Sequence, residues 1–328
     1  MKVFHMGYFF LMSSIDLIAK TVGVSPATVS RVFNRRPYVS ASLTRRVLDA
    51  ARRLNYRPPV VARRKTLSLV VSRNNLSNNS YALSMLGSFF YTASSFDYQV
   101  ELVQLDDLDQ IYLNFSQAVI AMVYSETEAD LLRSIENIPV VTINYQTSGC
   151  HYVCSDHFSG AYKAVEYLHS FGHKRIGILL SPKQENMSWG ELARVEGYRK
   201  AMTDNNCQIE EDFFFYGTFS RLSELDLFLE KTSVTSLFIC GENMVLPIWQ
   251  KLTQLNYKIP DDLSIVTYYN PSVSPYLLPE PCCLVQNFDL ITEKTLNGLQ
   301  KLKKGKIDEI KIITKHDFLP GKSIAKIK

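Results

Sequence analysis

Residues 13–57 read SSIDLIAKTVGVSPATVSRVFNRRPYVSASLTRRVLDAARRLNYR. Ile15, Leu17, Ile18, Ala19 and Val22 recur at the spacing of a short helix with one apolar face, and Gly23 stops it. Val24 leads to Ser25-Pro26, a favoured cap followed by a residue whose fixed φ suits the first helical position. Ala27, Val29, Val32 and Phe33 then line the inner side of a second helix, leaving Thr28, Ser30 and Arg31 outside. Two short helices joined by a glycine-containing turn make a helix-turn-helix, which places its second helix for a major groove. After a loop over 34–38, Ser40 or Ser42 caps a third helix. On it Leu43, Val47, Ala50, Ala51 and Leu54 close a small all-α core.

Charge follows the same division. Residues 1–66 hold 13 Lys and Arg against Asp16 and Asp49, or +11. The whole chain has 36 basic and 32 acidic side chains, so residues 67–328 hold 23 and 30, or −7. A basic head on a mildly acidic body implies a polyanion partner for the head alone. Pro26 and Ala27 offer apolar surface for a thymine methyl, and Arg31 can bond guanine through both arms of its fork, each worth about 1–3 kcal/mol of discrimination. Ser25, Thr28, Ser30, Asn34 and the surrounding arginines suit phosphates, which fix position without reading sequence.

VSPATVSRVFN followed by VSASLTRRVLDAARRLNYRP resembles the headpiece of the lactose/galactose repressor family of bacterial regulators, densely so over roughly residues 14–64. The resemblance implies a homodimeric repressor whose two heads read a pseudo-palindromic operator. It also implies a hinge helix over residues 60–65 that folds in the minor groove, its leucines wedging into the central step. Here that segment is Val-Val-Ala-Arg-Arg-Lys, so Lys65 stands at the wedge. An ammonium does not unstack bases as an apolar wedge does, although cations are drawn to a narrow minor groove. Arg63, Arg64 and Lys65 are therefore expected to grip phosphates and to kink the operator less than in related repressors.

From Leu67 onward, short β-branched runs alternate with amphipathic stretches. Strands are predicted at 67–71, 99–105, 118–124, 139–144, 175–181, 212–216, 236–240, 263–268 and 283–287. Helices are predicted at 81–96, 128–137, 160–171, 192–205, 222–231, 244–256 and 290–303. Such alternation means parallel sheets covered by helices on both faces, and more strands than one doubly wound unit holds mean two such lobes with a cleft between them. The predicted organisation is an extension over 1–12, a head over 13–58, a hinge over 59–66 and a bilobed effector-binding and dimerising body over 67–328. The body resembles the sensor of the same family, itself similar to type I periplasmic sugar-binding proteins. Ile138-Pro139-Val140-Val141, Ser155-Asp156, Gly172-His173-Lys174-Arg175-Ile176, Arg194-Val195-Glu196-Gly197-Tyr198 and Ile259-Pro260-Asp261-Asp262 occur in family order.

What the resemblance implies for the cleft is carried residue by residue. Arg194 falls at the family's effector-contacting arginine, and a guanidinium fork suits sugar hydroxyls or a carboxylate. Phe219 and Phe288 fall where aromatic faces meet the effector, or are core. Asp156 and Ser159 lie on the loop that supplies polar contacts. Two positions depart from the family. Gly241-Glu242 replaces an Asn-Asp pair, and Tyr269, with Asn270 next, replaces an acid. The pattern suits a small carbohydrate effector that shifts the angle between the lobes and so tunes the grip on the operator. Coupling of this kind is typically ~1–3 kcal/mol.

Other classes fit less well. No apolar run approaches the ~20 residues that span a bilayer. The apolar patch over residues 7–12 is short and lacks a following cleavage site, so a cytoplasmic protein is expected. The six cysteines show no paired or zinc-binding spacing, and no cofactor or metal is expected. No HExxH, GxSxG or phosphate loop occurs, which argues against an enzyme, with His157 beside Asp156 as the nearest approach to catalytic chemistry. Two alternatives to a sugar-responsive repressor are a DNA-binding regulator whose sensor has lost its ligand and a sugar-modifying enzyme fused to a DNA-binding head.

Overall fold

The computed structural model describes residues 14–34, 39–54, 56, 65–72, 80–181, 187–218 and 220–327. The head consists of α1 (Ser14–Val22), α2 (Pro26–Phe33) and α3 (Ala41–Arg53). Gly23 ends α1 at φ +76°, a left-handed turn that glycine adopts without a Cβ clash. Its N–H and that of Val24 both donate to the Ala19 carbonyl, at 2.9 and 3.0 Å. Ser25 caps α2, its Oγ accepting from the Thr28 N–H at 3.1 Å. Of the two serines before α3, Ser40 is the cap, accepting from the Leu43 N–H at 3.3 Å. Ile18, Val29, Val47 and Leu48 are buried where the three helices meet. Leu17, Ala27 and Leu54, read as inward-facing, are exposed. The Arg46 Nη2 donates to the Val22 carbonyl at 2.6 Å, tying α3 to the last turn of α1.

The body is two lobes, each built on a six-stranded sheet among the described residues. The first sheet holds β1 (Thr66–Val71), β2 (Gln99–Gln104), β3 (Ala118–Met122), β4 (Val140–Ile143), β5 (His151–Ser155) and β11 (Lys311–Thr314), in the order β11-β5-β4-β3-β1-β2. The second holds β6 (Ile176–Leu180), β7 (Phe214–Tyr216), β8 (Ser236–Ile239), β9 (Ser264–Tyr268), β10 (Cys282–Val285) and β12 (Asp317–Leu319), in the order β12-β10-β9-β8-β6-β7. All pairings are parallel except that of β10 with β12. Both lobes follow the same doubly wound order, with a switch point between β1 and β3 in one and between β6 and β8 in the other.

Helices α4 (Ser80–Ala93), α5 (Asp109–Leu113), α6 (Glu126–Arg133) and α11 (Phe288–Lys303) pack on the first sheet. Helices α7 (His157–Ser170), α8 (Trp189–Asp204), α9 (Leu225–Thr232) and α10 (Val245–Gln254) pack on the second. The chain passes between lobes after β5, after β10 and between β11 and β12, so three segments join the lobes behind the cleft. Gly197 lets α8 cross α7 closely: a Cβ there would stand 2.2 Å from the Phe158 carbonyl oxygen.

The sequence reading omitted β5, β11, β12 and α5. Each is three to five residues long, and β11 and β12 lie at sheet edges with exposed apolar residues, Ile313 and Leu319, which blurs their pattern. The predicted strand at 212–216 starts at Phe214, because Glu211–Phe213 form a 3-10 turn.

Candidate nucleic-acid interface and ligand cleft

The reading edge of α2 is open to solvent. Ser25, Pro26, Ala27, Arg31 and Asn34 are exposed, and Thr28 and Ser30 are half-buried. Hydrogen bonds within the helix set the polar groups. Ser25 Oγ and Thr28 Oγ1 are 2.9 Å apart, and Asn34 Nδ2 donates to the Ser30 carbonyl at 2.9 Å and to its Oγ at 3.2 Å. Arg31 is exposed on this capped helix.

Part of the head's positive charge is committed inside the protein. Arg45 and Arg52 of α3 each place a guanidinium 5.0 Å from the centre of the Tyr112 ring on α5. Arg45 Nη2 also donates to the Ser134 carbonyl at 2.8 Å, and Phe33 meets Phe115 at 5.9 Å. These contacts hold the head against the first lobe. Burial lowers the Arg52 pKa and raises that of Asp49, whose carboxylate lies 3.7 Å from Arg52. Lys65, expected on the operator, instead bonds Asp97 at 2.6 Å on the body. The Asp97 carboxyl is held below its usual range by that bond. Arg63, Arg64 and the extension over 1–12 lie outside the described residues.

Between the lobes is a cavity of about 300 Å³, lined mostly by residues at or just beyond the carboxyl ends of strands, with Tyr81 from α4 and four residues from the start of α8. The first lobe contributes Tyr81, Val123, Tyr124 and Asn144, joined by Gln286 from the crossing after β10. Asn144, at φ +52°, donates from Nδ2 to the Tyr81 hydroxyl at 2.6 Å and to Gln286 Oε1 at 2.9 Å, while its Oδ1 accepts from the Ser155 N–H at 2.5 Å. These bonds fix a polar wall. The second lobe contributes Arg194 and Glu191 from α8, and Cys240 to Asn243 after β8.

Arg194 is buried over the Tyr268 ring at 4.7 Å. Its Nε donates to the Tyr268 hydroxyl at 3.1 Å, Nη2 lies 3.3 Å from His157 Nδ1, and Nη1 lies 3.6 Å from Glu191. Burial works against its charge, but Tyr268 and Glu191 more than offset it and hold the guanidinium cationic. Glu242 is the opposite case. It is buried, its Oε1 has no hydrogen-bond partner among the described residues, and burial pushes its carboxyl up to about 7 against the weaker pull of its own backbone N–H and of Arg194.

Behind Arg194 the His316 ring packs tilted against His157 and edge-on to Tyr268. His316 lies 5.5 Å from each of the other two, and Trp189 packs against His157 at 5.7 Å. Burial, reinforced by Arg194, holds His157 well below the ordinary histidine range and His316 down to about 4. Both imidazoles are neutral, and among the described residues no group of three or more His, Cys, Asp or Glu could hold a metal.

Of the residues proposed from sequence for the effector, Arg194 and Glu242 line the cavity. Asp156, Ser159, Tyr269 and Phe288 are not among its lining residues. Asp156 is spent as the cap of α7, accepting from the Ser159 N–H at 2.9 Å, and this holds both on the helix terminus. Tyr269 donates its N–H to Leu284 and continues β9. Phe288 packs edge-on to Tyr81 at 5.6 Å, so it supports the wall rather than forming it. Phe219 lies outside the described residues. The sequence reading missed Tyr81, Asn144, Glu191 and Gln286. The one signal for Glu191 was Ser188 three residues before it, a capping box whose Ser188 N–H donates to Glu191 at 2.9 Å. His173 bonds Thr235 at 2.9 Å and the Ala325 carbonyl at 3.1 Å.

A capped helix-turn-helix on a two-lobe α/β body with an interlobe cleft is the build of a DNA-binding transcriptional regulator with a small-molecule receptor. Residues 14–59 match the family described as bacterial regulatory proteins, lacI family, and residues 165–313 match the periplasmic binding protein-like domain. The head is thus a lacI-family helix-turn-helix domain, and the body carries a periplasmic-binding-protein-like domain. Among curated relatives, it is 26% identical to the HTH-type transcriptional repressor PurR of Haemophilus influenzae over 96% of this chain and 98% of that one. It is 25% identical to PurR of Pasteurella multocida over 94% and 97%. In fold it is similar to a lac repressor dimer bound to operator and an anti-inducer, with TM-score 0.69, 20% identity, and 96% and 99% of the two chains covered. It is also similar to the regulator CelR in complex with cellobiose, with TM-score 0.68, 21% identity, and 95% and 100% covered. The curated relatives are repressors, in line with a regulator rather than an enzyme. No helix among the described residues is long and apolar enough to cross a membrane.

Proposed function

We propose that this chain is a cytoplasmic repressor of carbohydrate-utilisation genes, dimeric on a pseudo-palindromic operator and tuned by a small sugar-like effector. The division of labour is a reading head over residues 13–58, a hinge over 59–66, and an effector-binding, dimerising body over 67–328. The observation that carries the effector reading is the cleft. Fixed amide, hydroxyl and guanidinium groups from both lobes face one cavity, the arrangement that orients a polyhydroxyl ligand and couples its binding to the interlobe angle. Neighbours in fold are described with cellobiose and with ribose bound.

Exposed apolar residues supply surface for a second copy. Phe90 and Tyr91 on α4 are 73% and 84% exposed, and Tyr276 and Leu278 on the second lobe 81% and 87%. Ser25, Thr28, Ser30 and Asn34 then contact phosphates, and Pro26, Ala27 and Arg31 contact base edges. The effector contacts are Arg194 and Glu242, with the amide wall opposite.

Operator selection from random DNA, with and without a saccharide panel, tests the reading. A selected palindrome whose recovery changes with one saccharide supports it. A palindrome insensitive to every saccharide, sugar phosphate and nucleobase favours a regulator whose sensor has lost its ligand. No preferred DNA removes the assignment of α2.

A further inference from the structure

The charges in the cleft do not balance. Arg194 is its only Lys or Arg among the described lining residues, and that cation is already engaged by Glu191, by the Tyr268 ring and hydroxyl, and by the neutral His157. Glu191 is likewise committed, to Arg194 on one oxygen and to the Ser188 N–H on the other. This leaves Glu242. It sits just past the carboxyl end of β8, with 8% of its surface exposed and one carboxylate oxygen facing no donor.

The surroundings of that oxygen are set by the fold. The Glu242 carbonyl is taken by Asn270 Nδ2 at 3.1 Å, which fixes the backbone and hence the direction of the side chain. The opposing lobe presents Tyr81, whose hydroxyl is already the acceptor for Asn144 Nδ2. Among the described groups only its own backbone N–H and Arg194 favour the ionised carboxylate, and burial outweighs both. An uncompensated buried carboxylate costs several kcal/mol, a cost that a ligand bringing a donor or a positive charge removes.

We infer that the effector carries one protonated amine, seated against the Glu242 carboxylate, so that the cleft selects an amino sugar over the corresponding neutral sugar. This rests on the sugar-like reading above and adds the charge of the ligand. A neutral hydroxyl would give Glu242 a hydrogen bond but leave the cleft with a net negative charge once the carboxyl ionises. A primary ammonium supplies both the donor and the charge. An anionic sugar, such as a sugar phosphate or uronate, is disfavoured for the same reason, because Arg194 has no vacant counter-charge to offer while Glu191 holds it.

Isothermal titration of the full chain at pH 7 with D-glucosamine, D-galactosamine and D-mannosamine, each beside its parent hexose and its N-acetyl derivative, tests the inference. One amine should bind about tenfold tighter than both its parent and its N-acetyl form, the scale that separates a charge-assisted hydrogen bond from a neutral one. Glu242→Gln should abolish the preference, so that amine and parent bind the variant with the same affinity, whatever that affinity is. The comparison within wild-type protein needs no variant, so a poorly folded Glu242→Gln does not remove the test. Parent hexoses binding as tightly as their amines overturns the amine assignment while the sugar reading stands. If no saccharide binds, both fall.

Discussion

Glu242→Gln should stabilise the ligand-free protein in a manner that depends on pH. Burial raises the folded-state carboxyl from 4.5 to about 7, so between those values the folded state binds more protons than the unfolded state. Stability from this group is therefore present below pH 4.5, is lost as pH rises towards 7, and changes little above it. At about 1.4 kcal/mol per tenfold, the ionised carboxylate costs about 3 kcal/mol at pH 8 and under about 1 kcal/mol at pH 5. The variant's advantage over wild type should thus grow by about 2–3 kcal/mol from pH 5 to pH 8. The glutamine amide, itself short of partners, adds only an offset that pH does not move.

The difference between proteins is the readout, because His316 slopes the other way and cancels in it. Urea unfolding at several pH values, followed by the fluorescence of Trp189 and Trp249 in the second lobe, measures it directly. A difference independent of pH would mean that Glu242 is not the isolated buried acid described above.

Four further outcomes follow from named contacts. Arg31→Ala should relax one operator position by about 1–3 kcal/mol, seen as a narrowed gap between operator and single-mismatch DNA. Lys65→Ala should leave the salt dependence of operator binding nearly unchanged, because Lys65 is paired with Asp97; a slope reduced by a full phosphate contact would place Lys65 on DNA. Gly197→Val should prevent α7 and α8 from closing, costing at least about 3 kcal/mol, visible as lost protein or a lowered urea midpoint. His316→Gln should flatten the loss of stability between pH 6.5 and about 4, where the unfolded histidine binds a proton and the buried one does not.

The head was legible because its information is local. Ser25-Pro26, Gly23 and the spacing of Val29, Val32 and Phe33 act within a few residues, and the structure realises them as a cap, a left-handed stop and a core. The alternating pattern of the body likewise announced two doubly wound lobes, since parallel buried strands read as continuous apolar runs.

The cleft was legible only at Arg194 and Glu242. Its other polar groups come from segments far apart in sequence: Asn144 meets Gln286 across 142 positions, and neither sits in a motif. Asp156 and Ser159 carried a functional pattern but were consumed by a helix cap, because a carboxylate three residues before a free N–H satisfies it first. The destination of the head's charge was equally non-local. Arg45 and Arg52 look like DNA contacts in a list of basic residues, yet Tyr112 captures both. Sequence alone determined which helices, strands and charges exist. Only tertiary packing decided which of those charges pair within the protein and that Glu242 is buried in the cleft wall with one oxygen unpartnered, because pairing depends on distances that the chain sets by folding.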